Sequence, residues 1–395
     1  MFMIRSLSAL ALAFILVVPV RAQDAANFDT LLRDLWPMAR ERGITRATFD
    51  LAFQGLTPDP RIIAATRREP EYGKPVGAYI DSIASGGRIA TGQRKATQWA
   101  DTLHKAEENF GVERPILLSL WGIESSFGDE KDRWDVIRSL ATLVAANYRV
   151  ELFRDELLAA LKILQDGHVS RDSLRGSWAG AMGQPQFMPT SFYRYAVDFS
   201  GDGKRDIWSN VPDVLGSIAN YMRKSGWKTD VPWGFEMSVP SNFNYMQSRG
   251  AAREWTTRGV KRVDGKPLPE MGTAFLLFPS GASGPAFLLS ENFNVIKAYN
   301  NSDVYALAVG HLADRIAGGA PIRTPWPASD LQLSRPQRIA LQKRLAALGY
   351  SVKDFQGRLD FDQRDAIRAE QQKLGMKPDG HPTTTLLERI GARSN

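Results

Sequence analysis

The sequence predicts a mainly α (α+β) chain, in which a long helical domain with a small β insertion is followed by a separate small helical module. Three observations carry that expectation. Apolar residues recur at helical spacing through most of the chain before Lys228, as with Phe28, Leu31, Leu32 and Leu35 at i, i+3, i+4 and i+7. Between residues 228 and 290 that periodicity fades, and turn pairs such as Val239-Pro240, Asp264-Gly265 and Pro279-Ser280 appear. A Gly- and Pro-rich stretch, GGAPIRTPWP (318–327), then separates two helical pieces, LQKRLAALGY (341–350) and EQQKLGM (370–376), each stopped by a glycine. At 395 residues, with 43% hydrophobic and 24% charged content, the chain can bury two or three cores, and wholesale disorder is excluded.

Residues 1–22 read as a secretory leader, with Arg5 as the basic part, an apolar run over 9–20 and a small-residue cleavage pattern at Val20-Arg21-Ala22. The run is too short and wrongly flanked to span a bilayer, so the expectation is an exported, soluble protein without a membrane anchor. The absence of cysteine excludes disulfides, zinc–thiolate sites, a cysteine nucleophile and a lipid-bearing cysteine. A large exported chain without disulfides suits a periplasm. Losing Arg5 and Arg21 lowers the formal charge of +7 by two, a modest basic excess that favours anionic partners. Few Lys/Arg clusters and a secretory address argue against nucleic acid.

Helices are expected over 27–56, then, after Pro58, Pro60 and Pro70, over 79–83, 97–110 and 115–123, with Pro115 in a first turn where its missing N–H costs nothing. Residues 136–164 form a further helical region, 228–290 the small β region with a strand over 273–278, and 293–316 a returning helix. The first domain therefore spans 23–317, the linker 318–330 and the module 331–395. In the module, Ser334 or a neighbour caps a helix bearing Leu341, Leu345 and Leu348. Asp360 or Asp362 caps a second with Ile367 and Leu374, and Leu386, Leu387 and Ile390 supply a third. So few apolar residues make a small three-helix core.

Within the apolar run ILLSLWGI (116–123) no position is charged, yet Glu124 follows it directly. On a 3.6-residue period Glu124 shares a face with Leu117, Leu120 and Trp121, and no basic side chain lies within a turn. A carboxylate that loses hydration without gaining a partner has a raised pKa, which suits a general acid. The alternative is a helix-end carboxylate that snorkels to the surface. The stretch GSWAGAMGQPQFMPTSF (176–192) combines glycines, aromatics and amides, residue types that fit the apolar faces and hydroxyl rims of sugars. Its plain alternative is a tightly packed loop of small residues.

IESSFG (123–128) together with GSWAGAMGQPQFMPTSF resembles the membrane-bound lytic murein transglycosylase B family, which is similar in fold to lysozyme. REPEYGKPVGAYI (68–80) and AYNNSDVYALAV (298–309) fit as well, so the resemblance covers about 27–316. The resemblance implies a lysozyme-like catalytic domain in which one Glu serves first as acid on the glycosidic oxygen and then as base on the sugar's C6 hydroxyl, giving 1,6-anhydro-MurNAc ends. It implies Glu124 as catalytic, Ser177 and Gln186 as hydrogen-bonding the sugar, and Tyr221, Tyr299 and Asn300 as lining the subsite. Tyr79 is a further candidate, and Arg149 would meet anionic parts of the substrate, although Val150 stands where some members carry a second Arg. No acidic residue lies between Ser173 and Arg194, and Asp129, Glu130, Asp132 and Asp135 read as a solvated turn, in keeping with a one-carboxylate scheme. Hydrolysis by water with the same acid, and an inactive wall-binding scaffold, are the alternatives. The implied substrate is peptidoglycan glycan strands, no cofactor is expected for catalysis, and wall-synthesis or remodelling proteins stand open as partners.

DFSGDGKRDIWS (198–209) places Asp198, Ser200 and Asp202 at positions 1, 3 and 5 of a calcium-loop spacing, with Gly203 at 6 and the Lys204 carbonyl at 7. Ser209 replaces the usual Glu at 12, and Asp213 would close a longer loop, a lengthened cation site that the resembled family has. Asp206 would stand behind it. A structural Ca2+ is the expectation, and an Asp-Gly turn held by its own hydrogen bonds is the alternative. The tail after Leu331 resembles a peptidoglycan-binding helical module, but Gly357-Arg-Leu-Asp360 and Glu370 depart from its usual turn and aromatic, so wall affinity is less firmly implied than the fold.

Overall fold

The computed structural model describes residues 20–66, 75–130, 133–328 and 332–393. Most of the leader, residues 68–74 of the upstream motif, Asp132 and 329–330 of the linker fall outside the described residues. Helices α1 (Val20–Glu41), α2 (Arg46–Phe53) and α3 (Pro60–Ala65) open the chain, followed by α4 (Val76–Ile83), α5 (Gly86–Gln98), α6 (Ala100–Phe110) and α7 (Arg114–Ser125). The two-residue strand β1 (Trp134–Asp135) leads into α8 (Val136–Ala145) and α9 (Val150–Gln165), and pairs antiparallel with β2 (Arg175–Gly176). After α10 (Pro189–Tyr195) and α11 (Val211–Lys224) come β3 (Gly234–Ser238), β4 (Arg249–Ala251), α12 (Ala252–Thr257), β5 (Lys261–Arg262), β6 (Thr273–Leu277) and β7 (Ala286–Leu289). Helices α13 (Glu291–Asn300) and α14 (Asp303–Ile316) complete the first domain, and α15 (Arg335–Ala347), α16 (Phe361–Lys373) and α17 (Thr384–Arg393) form the module.

Several expected helices are broken in two. The region 27–56 divides at residues 42–45, where Thr45 caps α2 by accepting from the Thr48 N–H. The helix expected over 97–110 begins at Ala100, because Trp99 leaves helical geometry and separates α5 from α6. Residues 136–164 break where Asn147 and Arg149 adopt left-handed backbone, and 293–316 breaks at left-handed Asn301. In the module, Ser334 makes a reciprocal capping box with Gln337, and Asp360 rather than Asp362 caps α16.

Two large cores fill the first domain. One gathers α1, α2, α8 and α9 through residues such as Leu35, Phe49, Leu140 and Leu157. The other joins α4, α6, α7, α11 and α14 through Ile80, Leu103, Trp121, Ile218 and Leu307. Tyr221 and Tyr299 pack against both, so the seam between the cores passes through them. The β region is a five-stranded antiparallel sheet, ordered β4-β6-β7-β3-β5, with its own core around Trp255.

That sheet also receives the module. Phe361 of α16 stacks on Phe275 of β6 at 4.5 Å, and Arg368 donates to the Leu276 carbonyl at 3.0 Å. The described part of the connecting segment is pinned to the first domain. The Arg323 and Thr324 N–H groups donate to the Glu236 carboxylate at 2.9 and 2.7 Å. Trp326 covers Gly77 of α4 so closely that a Cβ there would fall 2.4 Å from its ring. Glycine and proline keep this stretch out of regular structure, but its one large aromatic straps it to the first domain. No helix among the described residues is long and apolar enough to cross a membrane.

Candidate active site

Helix α7 is apolar almost all round because it is surrounded: Ile116, Leu117, Leu118, Leu120 and Trp121 are all buried. Ser119 ties it to α14 by donating to the Val309 carbonyl at 2.7 Å. The helix stops abruptly. Ser126, Phe127 and Gly128 all have positive φ, a conformation that bulky L-residues adopt only when their surroundings over-determine it. Here Ser125 Oγ accepts from the Gly128 N–H at 3.2 Å, and the Phe127 ring folds back edge-on to Trp121. A Cβ on Gly122 would lie 2.5 Å from that ring, so this helical position must be glycine for the turn to close. The reversal ends the helix just past Glu124, leaving that carboxyl half-buried at the rim of an otherwise apolar element.

Glu124 is not without a partner, as its neighbours in sequence suggest. The hydroxyl of Tyr305, on α14, donates a hydrogen bond to Glu124 Oε1. Burial, and then the nearby Glu124 charge, hold the Tyr305 hydroxyl far above its ordinary pKa, so it remains a donor. The same two causes, in the same order, raise Tyr299. Tyr221 is pushed up to about 12, mainly by burial, with Tyr195 and then Glu124 adding to it. Three tyrosines thus surround one carboxylate.

Across the seam, residues 177–188 fold into a tight loop held by their own backbone and lead into α10. Met182 and Phe187 exchange backbone hydrogen bonds, and Ser177 N donates to the Ala181 carbonyl at 2.7 Å. Gly183, at φ +63°, sits where a Cβ would be 2.6 Å from the Ile207 carbonyl oxygen. Gln184 locks this loop to α7, accepting from Trp121 Nε1 at 2.7 Å and donating to the Trp208 carbonyl at 2.9 Å. Ser177 Oγ accepts from the N–H groups of Ala179 and Ala181, and Gln186, itself left-handed, donates its amide to the Gly183 carbonyl at 2.8 Å.

The remaining candidates divide. Tyr299 donates to the Pro185 carbonyl at 2.7 Å, and Tyr221 to the Ala298 carbonyl at 2.9 Å. With Phe187 and Tyr195 their rings form one cluster, the Tyr221–Tyr299 and Tyr195–Tyr221 centroids being 4.6 and 4.5 Å apart. These hydroxyls serve the backbone, so ring faces are what the tyrosines present. Asn300 is exposed at the end of α13, and Tyr79 of α4 lies near enough to raise the Tyr305 hydroxyl slightly. Arg149 is exposed in the α8–α9 turn, and among the described residues no hydrogen bond or ion pair ties it to the other candidates. Sequence reasoning misses Tyr305 and Gln184 as site residues, although both lie inside the quoted motifs.

In the acidic loop, carboxylate oxygens of Asp198, Asp202 and Asp213 lie within 4.8 Å of one another, with Asp213 fully buried. Backbone N–H groups meet them: Gly201 and Gly203 on Asp198 at 2.7 Å, Phe199 and Ser200 on Asp213 at 2.9 Å. Burial raises Asp198, but the N–H groups of Gly203, Gly201 and Asp202 outweigh it and hold the carboxyl below its usual range. No side-chain ion pair among the described residues neutralises the three acids, so hard oxygens and uncompensated charge fit a divalent cation. Ser200 and Lys204 lie in the same loop, each hydrogen-bonded to one of these acids. The Ser200 hydroxyl faces Asp198 and Asn210, and the Lys204 N–H donates to Asp202 at 2.9 Å.

The sequence profile of the transglycosylase SLT domain matches residues 27–314, and that of a peptidoglycan binding domain matches 334–390. Membrane-bound lytic murein transglycosylase B of Escherichia coli K12 is 36% identical over 230 residues, which are 56% of this chain and 61% of that protein. The crystal structure of SltB3 from Pseudomonas aeruginosa in complex with NAG-anhNAM-pentapeptide is 45% identical and superposes with a TM-score of 0.84, covering 92% of this chain and 99% of that one. The Escherichia coli lytic transglycosylase Slt35 in complex with calcium is 26% identical, with a TM-score of 0.63 over 74% of this chain and 93% of its own.

Proposed function

The chain belongs to the transglycosylase SLT domain family, and from that premise we propose that it is a periplasmic lytic transglycosylase cleaving the MurNAc–GlcNAc β-1,4 bond of peptidoglycan without water. The observation that carries this reading is Glu124 at the seam between the two cores, held by the Tyr305 hydroxyl and faced by an uncharged, backbone-braced loop. Glu124 gives its proton to the glycosidic oxygen as the bond to the anomeric carbon breaks. The C6 hydroxyl oxygen of the same MurNAc bonds to that carbon, and its proton passes to Glu124, restoring the acid and leaving a 1,6-anhydro end. Between the two transfers Glu124 is a carboxylate, and the Tyr305 hydroxyl stabilises it there.

Ser177 and Gln186 contact the sugar next to the scissile bond, Tyr221, Tyr299 and Tyr79 pack on ring faces, and Asn300 hydrogen-bonds at the rim. Arg149 meets anionic parts of the substrate, its lactyl or peptide carboxylates. The C-terminal module holds the wall. Asp198, Asp202 and Asp213 hold a structural Ca2+, which supplies charge neutralisation to the loop and takes no part in the reaction.

Mass spectrometry of digested sacculi tests the reaction. Anhydro-MurNAc ends are expected, and reducing ends would replace the proposal with hydrolysis. For the cation, calcium at ten times its Kd should stabilise the wild-type protein by about 1.4 kcal/mol and leave Asp202→Asn unchanged. A melting temperature indifferent to calcium and chelator would remove the ion from the proposal.

A further inference from the structure

We infer that the C-terminal module positions the catalytic acid, because Arg364 on α16 fixes Asp303 in the first turn of α14, and that turn carries the Tyr305 whose hydroxyl meets Glu124. The inference rests on the proposed reaction, with Glu124 as proton donor, and assigns Arg364 a positioning role in it. Arg364 reaches Asp303 Oδ2 with Nη2 at 2.6 Å and Nε at 3.2 Å. Lys297, from α13, meets Asp303 Oδ1 at 2.8 Å and also donates to the Leu359 carbonyl of the module at 2.9 Å. Arg364 Nη1 donates to the Gly380 carbonyl, so each cation binds on both sides of the domain junction or braces it.

Burial gives this cluster its stiffness. The Asp303 and Arg364 side chains are each 10% exposed, against 44% for Arg249, whose ion pairs to Asp362 and Asp365 join the same two domains at the surface. Solvent and salt screen the surface pairs and hardly screen the buried one. Asp303 is also two residues from Tyr305, and the Ser302 hydroxyl caps the turn by accepting from the Tyr305 N–H at 3.3 Å. Further along α14, the Ser119–Val309 hydrogen bond already holds the helix to α7. The freedom left to α14 is therefore in its first turn, which the module clamps. The same clamp closes the 300–302 turn next to Tyr299 and Asn300. Proton transfer depends on placement to a fraction of an ångström, so loosening the clamp should slow the chemistry more than it weakens binding.

The test uses the full-length protein on soluble, uncrosslinked glycan strands. Arg364→Gln should lower kcat about 10-fold with KM within about twofold of wild type. It should also speed backbone hydrogen exchange over residues 303–306. Arg364→Lys should restore most of both. Arg249→Gln, cutting the exposed pairs of the same junction, should leave both unchanged. If Arg364→Gln proves too unstable to assay, Asp303→Asn, which keeps the side chain's shape and cuts the clamp from its other side, should reproduce the kcat loss. Wild-type kcat in a folded Arg364→Gln or Asp303→Asn protein would overturn the inference, as would an equal loss in Arg249→Gln. Exchange needs no turnover, so a wild-type protein that released no anhydro ends would sink the functional reading while the link from module to α14 was still decided.

Discussion

Two carboxylates on neighbouring helices show how surroundings assign a role. Glu124 closes an apolar helix and accepts from a tyrosine hydroxyl, whereas Asp303 opens a helix and sits between Lys297 and Arg364. Burial alone would raise Asp303, but the two cations outweigh it and hold its pKa at about 2. An acid so held stays charged at any physiological pH, and serves as an anchor. A phenol can hydrogen-bond a carboxyl whether or not it carries its proton, so Glu124 can change state without losing its partner. The two lie on neighbouring helices, and Tyr305 is two residues from the anchor. The fixed charge thus stands two residues from the hydroxyl that holds the proposed proton donor.

The sharpest way to break that contrast is Glu124→Gln. The amide keeps the shape and the contact with Tyr305 but cannot give up or take a proton. Turnover should fall by about a thousandfold or more, with the melting temperature within a degree or so of wild type. Appreciable residual cleavage would mean that another group donates the proton. Tyr305→Phe should have the next largest effect. Removing a hydrogen bond to a charged group costs roughly 1.5–3 kcal/mol, or about 10- to 100-fold in kcat if the bond is strongest to the carboxylate formed after proton transfer. A loss in KM alone would make Tyr305 a substrate contact and leave Glu124 held by something else.

The sequence displays the Glu124 side of this contrast far better than the Asp303 side. An acid directly after eight uncharged residues is visible in one dimension, and so are the glycines of 176–192 and the Ser334 cap. The spacing of Asp198 and Asp202 is legible too, whereas the backbone N–H groups that gather around Asp198 are not. Breaks at Trp99 and at 146–149 carry no glycine or proline, and the one local signal is Asn147, a residue that tolerates left-handed backbone. Tyr305 lies 181 residues from Glu124 and reads as one more large residue on an apolar helix. Arg364 looks like a solvated helix charge, and Trp326 like part of a loose linker, until the module is docked. What escapes sequence reasoning is the set of long-range contacts whose partners are individually unremarkable.

The smallest expected effect, and the one that isolates the anchor, concerns acid stability. A carboxyl held at about 2 in the fold, against 3.8 as its ordinary value, releases its proton more readily when folded than when unfolded. Its contribution to stability is therefore complete above about pH 5 and is lost as the pH falls through 4 toward 2. The difference of nearly two units corresponds to roughly 2 kcal/mol. Asp303→Asn lacks this titration, so chemical denaturation of the two proteins at pH 5 and again near pH 2 should find their stability gap narrowing by about that amount. Other carboxylates titrate in the same range in both proteins and cancel in the difference. A gap that stayed constant would mean that Lys297 and Arg364 do not hold Asp303 in its charged form, and the separation of anchor from proton carrier would then lose its electrostatic basis.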